Sequence, residues 1–255
     1  MPTTEQSQTA VVFGASGGIG LAIARQLLAR PEIERVWGTY RDRDRAAELL
    51  QLAETQGDRL RALPMDGTDE RDIAAVTQAI AATTNHLDLA INCIGILHDQ
   101  ERLQPEKSLR QIDRDRLLRY FEINSIPSLL IGKQLIDLLK GDRRSVFACI
   151  SAKIGSISDN QLGGWYGYRA SKAALNMYLK TLAIEYARRC PRAIVLSLHP
   201  GTTDTALSKP FQRNVPPEKL FSSDRTATQL LALCDRATPA DSGCFFSWDG
   251  TPLPW

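Results

Sequence analysis

The 255-residue chain is 43% hydrophobic and 24% charged, the balance of a globular protein, which excludes a disordered or fibrous chain. Its 31 Lys and Arg against 29 Asp and Glu leave a formal charge of +2, too little for a sequence-independent hold on nucleic acid or an anionic membrane. No apolar run approaches the ~18 residues of a membrane span, and the start MPTTEQSQTA has neither a basic n-region nor an apolar h-region, so a cytoplasmic protein is expected.

Short apolar, β-branched runs recur along the chain: TAVVF (9–13), ERVWGTY (34–40), LRALP (60–64), LDLAIN (87–92), SVFACI (145–150) and AIVLSL (193–198). Helical stripes fall between them, such as Ile19, Ile23 and Leu27, or Ile73, Val76 and Ile80. This alternation predicts βα units on a parallel sheet with helices on both faces, a doubly wound α/β fold. No repeat or linker divides the chain, so a single domain over 1–255 is expected.

Directly after the first run comes Gly14-Ala15-Ser16-Gly17-Gly18-Ile19-Gly20, with a helix starting inside it. Glycines between strand and helix permit a tight bend and bring backbone N–H groups and a helix N-terminus up to a pyrophosphate. A plain βα connection is the competing reading. The second strand ends in Thr39-Tyr40-Arg41-Asp42-Arg43, where the ribose of a dinucleotide would arrive. An uncharged Tyr40 followed by the Arg41 fork suits a 2′-phosphate, so NADP is favoured over NAD, with Asp42 as the counter-argument.

The five cysteines are odd in number and lack a C-x-x-C pair, which fits reduced thiols. His86, His98 and His199 have no metal-ligand spacing, so no catalytic metal is expected. A helical stretch over 113–139 contains Asn124 and Pro127, and the proline predicts a break just before it. A last helix is expected over 218–233, opened by Pro216 and Pro217, then a seventh strand near 243–246. The aperiodic segments 151–165 and 200–217 follow carboxyl ends of strands, where ligands bind in such sheets.

Tyr168 and Lys172 sit four apart at the start of a helical run and share one face. At ~5 Å and an effective dielectric of ~20, an ammonium favours the phenolate by roughly 3 kcal/mol, about two pKa units. The pair can therefore serve as an acid/base, although such spacing alone is common on exposed helices.

Together, the glycine turn and the Tyr168-Lys172 pair resemble the short-chain dehydrogenase/reductase family, and the resemblance runs through the whole chain in order. It implies a Rossmann domain with a seven-stranded parallel sheet binding NADP(H). Gly14, Ser16, Gly17, Gly18 and Ile19 would lie under the pyrophosphate, Arg41 by the ribose and Asp66 by the adenine. Asn92, Ile94 and Gly95 match the family's Asn-Asn-Ala-Gly strand end, Asn124 its water-holding asparagine, and Pro200-Gly201 the turn beside the nicotinamide. Thr203 or Thr205 would touch the cofactor, Tyr168 would donate the proton, and Lys172 would bind ribose and lower the tyrosine pKa. The stretches Gly155-Ser156-Ile157-Ser158-Asp159-Asn160 and Gly163-Gly164-Trp165-Tyr166-Gly167-Tyr168 are similar to the carbonyl-reductase subgroup that includes sniffer and C-factor proteins.

Two positions depart from the pattern. Phe13 replaces a threonine whose hydroxyl ties neighbouring turns, and the usual Ser-Ser pair reads Ser151-Ala152. Ser156 is then the candidate for the substrate oxygen and Ser151 for a cofactor contact, the alternative being that neither polarises the substrate. Leu97, Leu162, Trp165, Tyr166, Leu207 and Phe211 are candidates for an apolar cleft or for packing.

The expected activity is hydride transfer between NADP(H) and a small carbonyl or alcohol substrate. A non-catalytic dinucleotide sensor and a nucleotide-sugar epimerase or dehydratase are the alternatives. Apolar positions on several sides of the Tyr168 helix (Leu175, Tyr178, Leu179, Leu182) suggest an interface, and the family implies a homodimer or homotetramer.

Overall fold

The alternation of apolar runs and helical stripes becomes sixteen principal elements in the computed structural model, which describes residues 7–99 and 102–255. The first half contains β1 (Gln8–Phe13), α1 (Gly18–Leu28), β2 (Ile33–Tyr40), α2 (Ala47–Gln56), β3 (Leu60–Pro64), α3 (Glu70–Ala81) and β4 (Leu89–Asn92). Then follow α4 (Arg114–Asn124), α5 (Ile126–Leu139), β5 (Ser145–Ile150), α6 (Tyr166–Arg189) and β6 (Ala193–His199). The chain closes with β7 (Thr202–Thr203), β8 (Leu220–Phe221), α7 (Ser223–Arg236) and β9 (Cys244–Ser247).

Seven strands form one parallel sheet in the order β3-β2-β1-β4-β5-β6-β9. The chain winds outward from β1 to β3, then returns to the other side of β1 with β4, which makes the β1/β4 boundary the switch point where a crevice opens. Side chains alternate along β1: Ala10 and Val12 join a core with α1, α2 and α7, whereas Val11 and Phe13 join one with α3, α5 and α6. Each sheet face is thus covered by helices.

Two expectations about helices need refinement. The stretch 113–139 is two helices, α4 and α5, meeting at Ser125, whose Oγ donates to the Phe121 carbonyl at 2.9 Å. Pro127 is the second residue of α5, where its missing N–H leaves no helical bond unmade. The last helix does not start at 218 but at Ser223, after Ser222 accepts the Arg225 N–H at 3.1 Å. Pro216 and Pro217 instead lead through one 3₁₀ turn into β8, which pairs with β7.

No described helix is long and apolar enough to cross a membrane. Among the described residues, no group of three or more His, Cys, Asp or Glu side chains is gathered for a metal, and all five cysteines are free.

Candidate active site

The glycine turn leaves β1 and enters α1 with Gly14 at φ 77° and Gly18 at φ 52°. Residue Gly20 has no room for a side chain, because a Cβ there would overlap the Gly14 carbonyl. The tie that Phe13 cannot make is supplied from β2: Thr39 Oγ1 accepts the Gly14 N–H at 3.0 Å, and the Thr39 carbonyl accepts the Ala15 N–H at 2.8 Å. Helix α1 has no side-chain cap and no acid in its first turn, and Gly17 faces open space. Its N–H groups and dipole are therefore available to an anion.

A cleft of about 540 Å³ runs from this turn across the ends of β2, β3 and β4. Of the expected cofactor residues, Gly14, Ser16, Arg41, Asp66, Ile94 and Gly95 line it. Arg41 makes no ion pair among the described residues, whereas Asp42 accepts the Asp44 N–H at 2.9 Å and lies 3.6 Å from Arg45. The carboxylate that argued against a 2′-phosphate is thus engaged with its own neighbours. At Asp66, burial favours the neutral form, but hydrogen bonds from Thr68 and the Arg41 charge outweigh it and hold the carboxyl below its ordinary value.

Other expected contacts are placed differently. Asn92 donates to Ser128 Oγ at 2.8 Å and accepts the Ile94 N–H at 3.0 Å, so its side chain shapes the strand end rather than lining the cleft. Thr203 is buried, with Oγ1 2.8 Å from Thr226 Oγ1. Its neighbour Thr205 reaches the glycine turn, its Cγ2 3.1 Å from where a Gly18 Cβ would stand. Pro200 and Gly201 do not line the cleft: Gly201, at φ 73°, packs against Phe221 and Trp248.

Tyr168 and Lys172 occupy one face of α6, with Lys172 Nζ 5.9 Å from the tyrosine ring centroid. Both are buried. Lys172 donates to the Ile150 carbonyl at 3.0 Å, and a Cβ on Gly95 would lie 3.5 Å from its Nζ and 3.4 Å from Asn124 Oδ1. Asn124 accepts the Ile96 N–H at 2.7 Å and donates to the Ile96 carbonyl at 2.9 Å, so the α4/α5 break holds the end of β4 beside Lys172. Burial lowers the Lys172 pKa to about 8 and raises that of Tyr168 above its ordinary 10. The expected lowering of the tyrosine by its lysine is not found: the shift is upward, and its cause is desolvation of a ring held between Tyr120 and Trp165.

The two candidate serines have different surroundings. Ser151, expected against the cofactor, donates instead to Asn176 Oδ1 at 2.6 Å, an acceptor shared with Ser197 at 2.7 Å. Ala152 packs against the apolar cluster around Tyr168. Ser156 is buried, and its Oγ accepts the Asp159 N–H at 3.2 Å. The turn before it presses on α6, since a Cβ on Gly155 would stand 2.8 Å from the Lys172 backbone.

Leu97, Trp165, Leu207 and Phe211 gather around Tyr168, as expected of a cleft wall, whereas Leu162 is 92% and Tyr166 38% exposed and turn away. Sequence reasoning passed over two residues here. Thr39 gave no signal beyond being a hydroxyl at a strand end. His98 lines the cleft and donates from Nε2 to the Ala206 carbonyl at 3.2 Å, and its ring meets Phe211 edge-on, fastening the 200–217 segment to the end of β4.

Comparison with known proteins bears on this geometry. The profile of the family described as short chain dehydrogenase matches residues 8–216. The 1-hydroxy-2-glutathionyl-2-methyl-3-butene dehydrogenase of Rhodococcus sp. (strain AD45) is 29% identical over 97% of this chain and 99% of that protein. The NADPH-bound carbonyl reductase from chicken fatty liver superposes with a TM-score of 0.86 at 27% identity, covering 98% of this chain and 100% of that one. The carbonyl reductase Sniffer of D. melanogaster shares the fold with a TM-score of 0.85 at 24% identity and the same coverage.

Proposed function

Since the chain belongs to the short chain dehydrogenase family, we propose that it is an NADP(H)-dependent oxidoreductase reducing the carbonyl group of a small aldehyde or ketone, with Tyr168 as the proton donor. The observation that carries the reading is that a cleft beginning at an uncapped, acid-free helix N-terminus and passing Arg41 reaches Gly95, beside buried Lys172, and Leu207, which packs with buried Tyr168.

The residues fit a dinucleotide. The first turn of α1, with Gly14, Ser16, Gly17, Gly18 and Ile19, would hold the pyrophosphate, Thr205 would close over it, and the free Arg41 guanidinium would take a 2′-phosphate. Asp66, Ile94 and Gly95 would line the adenosine end and the passage toward Lys172. Bound there, the nicotinamide supplies the hydride.

The chain's own groups do the rest. Tyr168, its pKa raised by burial, keeps its proton at neutral pH and can hand it to a carbonyl oxygen. Lys172, held by Ile150, carries its charge below about pH 8 and favours the tyrosinate left behind. Asn124 keeps Gly95 and Ile96 in register with that ammonium, Ser156 is assigned to the substrate oxygen, and Ser151 acts through Asn176. Leu97, Trp165, Leu207 and Phe211 exclude water and favour an apolar substrate.

A single domain over 1–255 carries both functions in this reading, and its partner beyond the substrate is a second copy. Leu175, Leu179 and Leu182 are buried in the domain's own core, but Met177 on α6 and Leu118 on α4 are 64% and 52% exposed, which supports a homodimer or homotetramer. The test of function is oxidation of NADPH and NADH by the wild type over aldehydes, ketones and quinones. Turnover preferring NADPH supports the reading, and failure to bind either cofactor overturns it.

A further inference from the structure

Helix α6, which carries both reacting groups, has no cap of its own. The residue before it is Trp165 at φ 52°, the one non-glycine residue in the left-handed region among those described, with no side-chain cap and no acid in the first turn. An L-residue with a bulky ring rarely adopts that conformation unless the surroundings impose it.

Two of the polar contacts at this turn come from one residue. Glu106, in the segment before α4, accepts the Trp165 N–H on its backbone carbonyl at 2.5 Å and the Gly167 N–H on Oε2 at 3.1 Å. It is 1% exposed, and its carboxyl group lies at the positive end of a 24-residue helix. Its second oxygen makes no hydrogen bond among the described residues and stands 3.0 Å from where a Gly167 Cβ would be, and the Tyr120 ring closes the same space. Tyr120 in turn donates to the Leu97 carbonyl at 2.7 Å. Glycine at 167 is what lets the carboxylate approach so closely.

We propose that Glu106 is a positioning residue for catalysis, clamping Trp165 in its left-handed conformation and fixing the first turn of α6 so that Trp165 and Tyr168 face the substrate together. The inference rests on the carbonyl-reductase reading above. The Trp165 ring meets Tyr168 edge-on at 6.2 Å and Phe211 at 5.0 Å. Releasing the clamp allows Trp165 to return to a right-handed conformation, which moves the cleft wall and the proton donor at once. The cofactor cleft, which Glu106 does not line, is left intact.

The test compares Glu106→Ala, Glu106→Asp and Glu106→Gln with the wild type for NADPH affinity, for kcat and KM on the best carbonyl substrate, and for amide exchange over 160–168. Ala removes the acceptor of the Gly167 N–H, Asp falls a methylene short of it, and Gln keeps an acceptor oxygen at the same reach, while all three keep the backbone carbonyl that accepts the Trp165 N–H. The proposal expects kcat/KM at least about tenfold lower in Ala and Asp, with NADPH affinity within about twofold and Gln recovering to within about threefold of the wild type. Wild-type kcat/KM in Ala, or Asp matching Gln, overturns it. Should the Ala variant not fold, the order of Gln over Asp decides. Exchange is read without turnover: faster exchange at the Gly167 amide in Asp than in Gln supports the clamp, and equal exchange removes it. A wild type that turns over no carbonyl would refute the functional reading, leaving the exchange result to judge Glu106.

Discussion

Lys172 Nζ stands 5.9 Å from the Tyr168 ring centroid, one helical turn along α6, and is anchored by the Ile150 carbonyl at 3.0 Å. The ammonium is therefore held where it can answer charge on the tyrosine oxygen, at the expense of burying a cation. That expense sets the first prediction.

Burial moves Lys172 from 10.5 to about 8, so the folded chain binds its proton less tightly than the unfolded chain. The resulting destabilisation is absent above 10.5, builds as pH falls toward 8 and is complete below 8, on the order of 3 kcal/mol. Lys172→Met should raise the thermal midpoint at pH 7, with the gain shrinking toward pH 10, while turnover falls by about a hundredfold or more. A variant less stable than the wild type at pH 7 would contradict the burial argument.

The same group should shape the pH profile of carbonyl reduction. Tyr168 is pushed upward and stays protonated, so the first loss on raising the pH belongs to Lys172. The expected profile of kcat/KM is level below pH 7 and declines as pH rises through about 8. A profile flat to pH 10 would show that the ammonium is not needed.

The proposed reading gives the cofactor preference to Arg41. Its guanidinium makes no ion pair among the described residues, while Asp42 is engaged with Asp44 and Arg45. Arg41→Ala should raise the KM for NADPH by about 10- to 100-fold and change that for NADH little, the loss of one or two charge-assisted hydrogen bonds. Equal effects on both cofactors would place the 2′-phosphate elsewhere.

The serines separate by substitution. Ser156→Ala should lower kcat by about tenfold, the usual scale for one hydrogen bond to a reacting oxygen, without altering NADPH affinity. Ser151→Ala breaks the link to Asn176 and should act chiefly on stability, by about 1 kcal/mol. Ala152→Ser, which restores a hydroxyl among the residues around Tyr168, should offset the Ser156→Ala loss. If Ser156→Ala leaves kcat unchanged, Tyr168 acts without a serine.

Much of this arrangement is legible in the sequence because its signals are local. The order of strands and helices follows from periodicity, and the Gly14 to Gly20 spacing and the Tyr168-Lys172 interval each lie within a single connection or helical turn. The break at Ser125 follows from Pro127, since the ring restricts the residues before it. What stays hidden depends on contacts made only after folding. Thr39 reaches Gly14 across two strands, Ser151 turns inward because Asn176 is there to accept it, and Glu106 meets Gly167 across 61 residues. The start of α7 lies beyond the expected 218 for a related reason: two prolines resemble a helix entry, but β8 forms a pair with β7 first and Ser222 then caps the helix.

The most direct test of the account is NADPH oxidation with a responsive carbonyl by wild type and Tyr168→Phe, with NADPH affinity measured for both. The substitution removes one hydroxyl and leaves the ring between Tyr120 and Trp165. The account predicts NADPH affinity within about twofold of the wild type and turnover reduced by about a hundredfold or more, as for loss of a general acid. Turnover near the wild-type rate in Tyr168→Phe would contradict it.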